Sequence, residues 1–344
     1  MTTCNLEIAA WTEALDADVA AFVAGHPEGL VYYTPVFRDY LTKMLGARSL
    51  GRLALENGRV VGVMPLLALD GPHGTVINSL PFFGSNGGVL AETAAAEQVL
   101  RKEYEKHASA GGVALSVWIS HPFMEVLSPS HEYQDERIAQ WTDLTVDGVG
   151  GLPGGIDSSA RRNVGKAESS GVFVRESPDA LGFLEEVHRE NMAAIGGRAK
   201  PQGFFRCLPE TMAYGRDWRL YVAERNGEML AALLTFEAGR TVEYVMPAVR
   251  ESARGPQPTA AILARAMNDA QSRGFVRWNW GGTWLTQEGV YRFKKKWGAA
   301  ERRYRYFITL NNKSLLALTA GQLADAYPWF YTLPYHLLSK GAAS

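Results

Sequence analysis

Apolar residues along the chain fall into short runs broken by Asn-Gly turns, and one arrangement of runs occurs twice. LALENGRVVGVMPLLAL (53–69) reads as a strand, a turn at Asn57-Gly58 and a second strand. YVAERNGEMLAALLTF (221–236) repeats that order around Asn226-Gly227. Asn-Gly between apolar runs is a strong hairpin signal, because both residues tolerate positive φ. After the first hairpin the pattern predicts a strand over 75–80, a helix over 93–109 and a strand over 113–119. After the second it predicts a strand over 241–248, a helix over 258–273 and a strand over 275–280. The two turns lie about half a chain length apart, so agreement in order and spacing points to a duplicated unit.

Hairpins followed by a helix and a further strand predict an α/β (α+β) fold with two tandem domains. Each would have a mixed, largely antiparallel sheet flanked by helices. The Gly-rich DGVGGLPGG (147–155) is the expected linker, which sets the domains at 1–150 and 151–310. The aromatic, helical segment 311–344 is expected to pack back on the first domain. Its DAYPWFYTLPYHLL (325–338) carries Tyr327, Trp329, Phe330, Tyr331 and Tyr335, side chains that also suit peripheral contact with a membrane interface.

Composition narrows the function classes. The 344 residues carry 35 Lys plus Arg against 36 Asp plus Glu, a net charge of −1, which argues against coating DNA or another extended polyanion. With 47% hydrophobic and 21% charged residues the chain can bury sizeable cores. Cys4 and Cys207 make neither a disulfide framework nor a four-thiolate zinc site. MTTCNLEIAAW at the start lacks a basic, apolar leader. The longest uncharged apolar run, 60–69, contains Pro65 and is about half the ~20 residues a bilayer span needs. A cytoplasmic protein without a transmembrane segment is expected.

The overall charge hides a local concentration. NWGGTWLTQEGVYRFKKKWGA (279–299) opens at a strand end with Gly281-Gly282, where backbone can approach a ligand closely. It then enters a short helix with Lys294, Lys295 and Lys296 between Phe293 and Trp297. Residues 286–306 hold seven basic and two acidic side chains. Cations beside aromatic faces suit a phosphate-bearing ligand with a stackable base or sugar; the alternative is a solvated basic helix beside a core Trp. DSSARRNVGKAESSG (157–171) is a second cationic helix, capped by Asp157 or Ser158 and bearing Arg161, Arg162 and Lys166, with a solvated face as its alternative. LPFFGSNGGVLA (80–91) is a Gly-rich loop with Gly87 and Gly88, able to offer N–H groups to an anion or to serve as an ordinary turn. It has no GKS/T ending, which argues against nucleotide hydrolysis.

The seven histidines show no HExxH or paired spacing, so no metal site is expected. There is no GxSxG elbow and no GxGxxG after a strand, which argues against serine hydrolysis and dinucleotide redox chemistry. Glu243 and Tyr244 could accept a proton, or could simply be half-buried strand residues. Glu185 and Glu186 are expected on a helix surface.

These segments resemble the FemAB-like branch of the GNAT superfamily: peptidoglycan-bridge aminoacyltransferases and their relatives in exopolysaccharide gene clusters. WNWGGTW followed by GVYRFKKKWGA is similar to the family's Phe-Lys-x-x-Phe/Trp-Gly element. RRNVGKAESSGVFV (161–174) resembles its basic helix and following strand. LPFFGSNGGVLA resembles the Gly-Gly turn of its first domain, and ENMAAIGGRAKPQGFF (190–205) a helix and loop of its second. The matches span roughly 80–306.

The resemblance implies two tandem GNAT-like domains and transfer of an acyl or aminoacyl group to an amine of a cell-envelope precursor. It places Phe293 and Lys294 at the catalytic cleft, with Lys294 contacting phosphate or stabilising the developing oxyanion. Arg161, Arg162 and Lys166 would hold acceptor phosphates on a small-molecule or lipid-linked acceptor. Gly87, Gly88, Tyr244, Trp280, Gly281, Gly282, Lys295 and Trp297 would complete the binding surface. The donor would be a co-substrate, aminoacyl-tRNA or acyl-CoA, rather than a permanently bound cofactor. Two departures leave the donor open: no long paired-helix arm lies between 157 and 310, and ESARGPQPTAA (251–261) is only remotely like the acyl-CoA pyrophosphate signature. An acyl-CoA-dependent N-acyltransferase of a small amine and a non-catalytic ligand-binding module are the alternatives.

Overall fold

The computed structural model describes residues 6–80, 87–124, 128–148, 152–283, 287–330 and 332–339. The chain divides into two compact units, Met1–Arg137 with Arg303–Ser344, and Ile138–Arg302. In the first, β1 (Leu6–Ala10), α1 (Asp16–Gly25) and α2 (Pro35–Leu45) precede five strands: β2 (Arg48–Ser49), β3 (Arg52–Glu56), β4 (Arg59–Met64), β5 (Leu67–Gly71) and β6 (Gly74–Asn78). Then come β7 (Leu90–Ala91), α3 (Ala94–Ala108), β8 (Val113–Ile119) and β9 (Tyr133–Asp143), which runs into the second unit. That unit continues with α4 (Ser158–Ser169), β10 (Phe173–Glu176), α5 (Leu181–Ala194), α6 (Gln202–Thr211), β11 (Trp218–Arg225), β12 (Glu228–Ala238) and β13 (Thr241–Val249). It closes with α7 (Pro258–Ser272), β14 (Arg277–Thr283) and α8 (Glu288–Lys295) before β15 (Ala300–Leu310) and α9 (Ala320–Ala326) return to the first.

Both expected hairpins form, with Asn57 and Asn226 in the left-handed region ahead of Gly58 and Gly227. In each unit a hairpin leads through a helix to a parallel strand pair: β6 with β8 across α3, and β13 with β14 across α7. The pairs β1–β3, β3–β4, β4–β7, β2–β5, β5–β6, β8–β15, β10–β11, β11–β12, β12–β13 and β9–β14 are antiparallel. The fold is two GNAT-like domains in tandem, mixed sheets flanked by helices.

The copies differ where proline intervenes. In the second unit β12 is one unbroken strand of 11 residues that pairs with both neighbours. In the first, Pro65 separates β4 from β5, and the two halves join different sheets. Proline has no N–H to continue a ladder, so the strand stops there and restarts.

The division between units also falls elsewhere than the Gly-rich stretch suggests. The boundary lies at Arg137/Ile138, inside β9, and residues 147–155 belong to the second unit. That stretch closes on its own backbone instead of acting as a linker: Gly148 N donates to Leu152 O at 2.9 Å and Gly154 N to Val146 O at 2.6 Å. Residues 149–151 lie outside the described residues. The C-terminal segment belongs to the first unit, where Tyr327 is fully buried and its hydroxyl donates to Gly74 O at 2.8 Å. Tyr331 lies outside the described residues. Among the described residues no helix is long and apolar enough to cross a membrane.

Candidate functional site

The geometry of the second unit turns on how little of β13 and β14 is paired. Their parallel register covers Thr241↔Arg277, Val242↔Trp278 and Glu243↔Asn279, after which β13 runs on to Val249 and β14 to Thr283 without pairing to each other. The open edge of β13 is met by a side chain: Asn191 of α5 donates to Val249 O at 2.9 Å and accepts from Val249 N at 3.2 Å. On the other side, β14 bulges against β9, its register jumping from Asn279↔Trp141 to Gly282↔Ala139. Gly281 takes φ +72° in that bulge, a conformation open to glycine at little cost. Asn279 holds the bend, accepting from Gly281 N at 2.8 Å and donating to Glu243 Oε2 at 2.6 Å.

Four aromatic rings sit beside this bend. Trp280 is buried and lies 5.0 Å from Tyr244, 5.8 Å from Trp278 and 6.1 Å, edge-on, from Phe293 between ring centroids. Its indole donates to Thr142 Oγ1, which in turn donates to Trp297 O, both at 2.9 Å. Trp297 is therefore a buried support, and Phe293 the partly exposed edge of the group. Burial raises the Tyr244 phenol above its ordinary value, so it keeps its proton at neutral pH.

Lys294 points inward from α8 and is only 5% exposed. Its ammonium donates to Thr283 Oγ1 at 2.8 Å, Gly282 O at 3.2 Å and Gly281 O at 3.4 Å. Burial pulls its pKa from 10.5 down to about 8. Lys295, the last residue of this short helix, and Lys296 just after it are exposed. The cationic helix α4 starts beside it: Asp157 N donates to Lys296 O at 2.8 Å, and Ile156 bridges to Trp297. Asp157 caps α4 through Ser159 N at 2.7 Å. Arg161, Arg162 and Lys166 are exposed on α4; Arg161 donates to Ile156 O and Arg162 to Ser158 Oγ at 3.3 Å. Lys294, Gly281, Gly282, Trp280, Tyr244, Phe293 and the start of α4 are thus assembled in one unit.

Gly87 and Gly88 belong to the other unit and are buried. Gly87 O accepts from the Tyr33 hydroxyl at 2.6 Å, and a Cβ on Gly88 would lie 2.7 Å from Ile119 O. Gly88 thus packs against strand β8, and Gly87 packs against Ser79 and Leu80, whose side chains a Cβ would meet at 3.0 Å. Residues 81–86 of that loop lie outside the described residues. Gln140, Thr142, Thr283 and Asn191 complete the site and carry no sequence signal beyond the position of Thr283 after Gly281-Gly282. Among the described residues no group of three His, Cys, Asp or Glu could hold a metal ion.

Comparison with known proteins falls on this unit. Residues 157–295, from the cap of α4 to the end of α8, match the family described as acetyltransferase (GNAT) domain. This segment is a GNAT acyltransferase domain. No curated protein sequence matches the chain. Among solved structures, FemX is similar at 17% identity and a TM-score of 0.68, covering 90% of this chain and 98% of FemX. The C-terminal domain of a putative lysylphosphatidylglycerol synthetase from Agrobacterium fabrum is similar at 10% identity and TM-score 0.57, covering 94% and 99%. L-PGS from Bacillus licheniformis follows at 12% and 0.52, covering 87% and 92%. At these identities the likeness is one of fold. The GNAT domain contains both cationic helices, the parting strands and the ring group, and it makes the protein an N-acyltransferase.

Proposed function

We propose that the protein transfers an acyl or aminoacyl group to an amine on a phosphate-bearing cell-envelope precursor, such as a nucleotide-linked amino sugar or muropeptide. The observation that carries this reading is the buried charge of Lys294 beneath the Gly281–Thr283 bend, with exposed cations of α4 and α8 alongside. The fold shared with FemX and with lysylphosphatidylglycerol synthetase domains supports it.

In this reaction a neutral amine attacks the carbonyl of an ester or thioester donor. Negative charge develops on the carbonyl oxygen and is stabilised by Lys294. The intermediate collapses to an amide, the alkoxide or thiolate departs and takes up a proton, and the new amide nitrogen loses one. An amine that binds neutral needs no enzyme base for the attack. Arg161, Arg162, Lys166 and Lys295 engage acceptor phosphates, and Phe293, backed by the buried Trp280, gives an aromatic edge for a sugar or base. Gly281, Gly282 and Tyr244 shape the cleft.

The donor is aminoacyl-tRNA or acyl-CoA; the match to an acetyltransferase domain favours testing CoA alongside charged tRNA. Mass spectrometry of products from each donor with amine acceptors identifies the pair used. Lys294→Ala should fold and lose about 100-fold in kcat. A folded variant with full transfer activity would overturn the assignment.

A further inference from the structure

Lys294 has three N–H bonds, and three oxygens of the chain receive them: Thr283 Oγ1, Gly282 O and Gly281 O. It therefore acts on a reacting group as a held charge, and what holds it becomes part of the chemistry. Thr283 can accept from Lys294 because its own proton goes to Gln140 Oε1 at 2.9 Å. Gln140 is turned that way by its amide, which donates to Tyr291 O at 3.2 Å. All three side chains are buried: Gln140 0%, Thr283 3% and Lys294 5% exposed. A hydroxyl whose proton is committed to a carbonyl presents only lone pairs to its other neighbour. It can accept from an ammonium but cannot donate to a neutral amine.

We propose that Gln140, acting through Thr283, is a positioning residue that keeps Lys294 in its ammonium form beneath Gly281-Gly282 during acyl transfer. The inference rests on the electrostatic role given to Lys294 above. Among the described residues the groups that receive or support the ammonium's hydrogen bonds are neutral: Gln140 from β9, Thr283 and two carbonyls from β14. On α8 Lys295 is exposed, as is Lys296 just after it, Glu288 pairs with Arg292, and Tyr291 donates to Glu301.

The test follows the Lys294 side chain by NMR of 13C,15N-lysine protein, assigned with Lys294→Arg, together with the pH dependence of kcat. In the unaltered protein a midpoint of about 8, set by burial, is expected. Thr283→Val and Gln140→Met remove the acceptor and should lower that midpoint by about one pH unit, while Gln140→Glu, adding a carboxylate, should raise it by about as much. Thr283→Ser keeps the oxygen and should titrate as the unaltered protein does. Because the charged form is the active one, the high-pH limb of kcat should move with each midpoint. Opposite shifts in Gln140→Glu and Thr283→Val are beyond a purely structural effect, and thermal melts identify any variant that does not fold. Midpoints that stay put, or move together, overturn the relay. Midpoints that shift as expected while the kcat limb stays fixed overturn instead the role of Lys294 on which it rests.

Discussion

Lys294 leaves water to reach neutral oxygens, and burial outweighs those hydrogen bonds enough to bring its pKa to about 8. Between that value and 10.5 the unfolded chain holds a proton that the native state has released, so native stability rises with pH across this window. Relative to Lys294→Met, the unaltered protein should gain about 3 kcal/mol between pH 8 and pH 10.5, measured by urea unfolding at each pH. A flat difference would show that the side chain is solvated. Gly281 makes a second residue-scale case. A Cβ there meets no heavy atom within 4 Å, so Gly281→Ala is opposed only by its φ of +72°. A loss of about 1–2 kcal/mol by chemical denaturation is expected. At Gly88 positive φ and a blocked Cβ act together, and Gly88→Ala should cost more.

The elements themselves were legible because their causes are local. Asn-Gly supplied the left-handed residues of both hairpins, and apolar alternation marked the strands on either side. The strand predicted over 113–119 is Val113–Ile119, and the helix over 258–273 is Pro258–Ser272. Where pairing depends on a distant partner, the pattern was silent. Nothing in the run after Thr241 says that its parallel pairing ends at Glu243, or that Asn191 will take the place of a strand at Val249. Asn191→Ala leaves both backbone groups of Val249 without that partner. We expect a loss of about 1–3 kcal/mol and faster amide exchange at Val249, seen by hydrogen-exchange mass spectrometry.

At the scale of the whole molecule, duplication explains the length, and the return of the chain after Arg303 completes the first unit. Leu323, Tyr327, Phe330 and Leu333 are buried there, and Gly71 leaves room for the Tyr327 ring. Deleting residues 313–344 should therefore expose apolar surface and lower the melting temperature by several degrees in a thermal scan. An unchanged melt would mean that the segment packs only loosely.

The sequence by itself determined the turns, the strand and helix positions, the repeat, and the concentration of positive charge in 286–306, all properties of neighbouring residues. Only the tertiary structure decided which of three consecutive lysines is buried and what it touches. Lys294 turns inward while Lys295 and Lys296 stay in solvent. Its environment depends on Gln140, 143 positions before Thr283, which reaches the site because β9 pairs with β14. A local pattern can place a charge on an element; its solvation and its partners are set by packing between strands far apart in the chain.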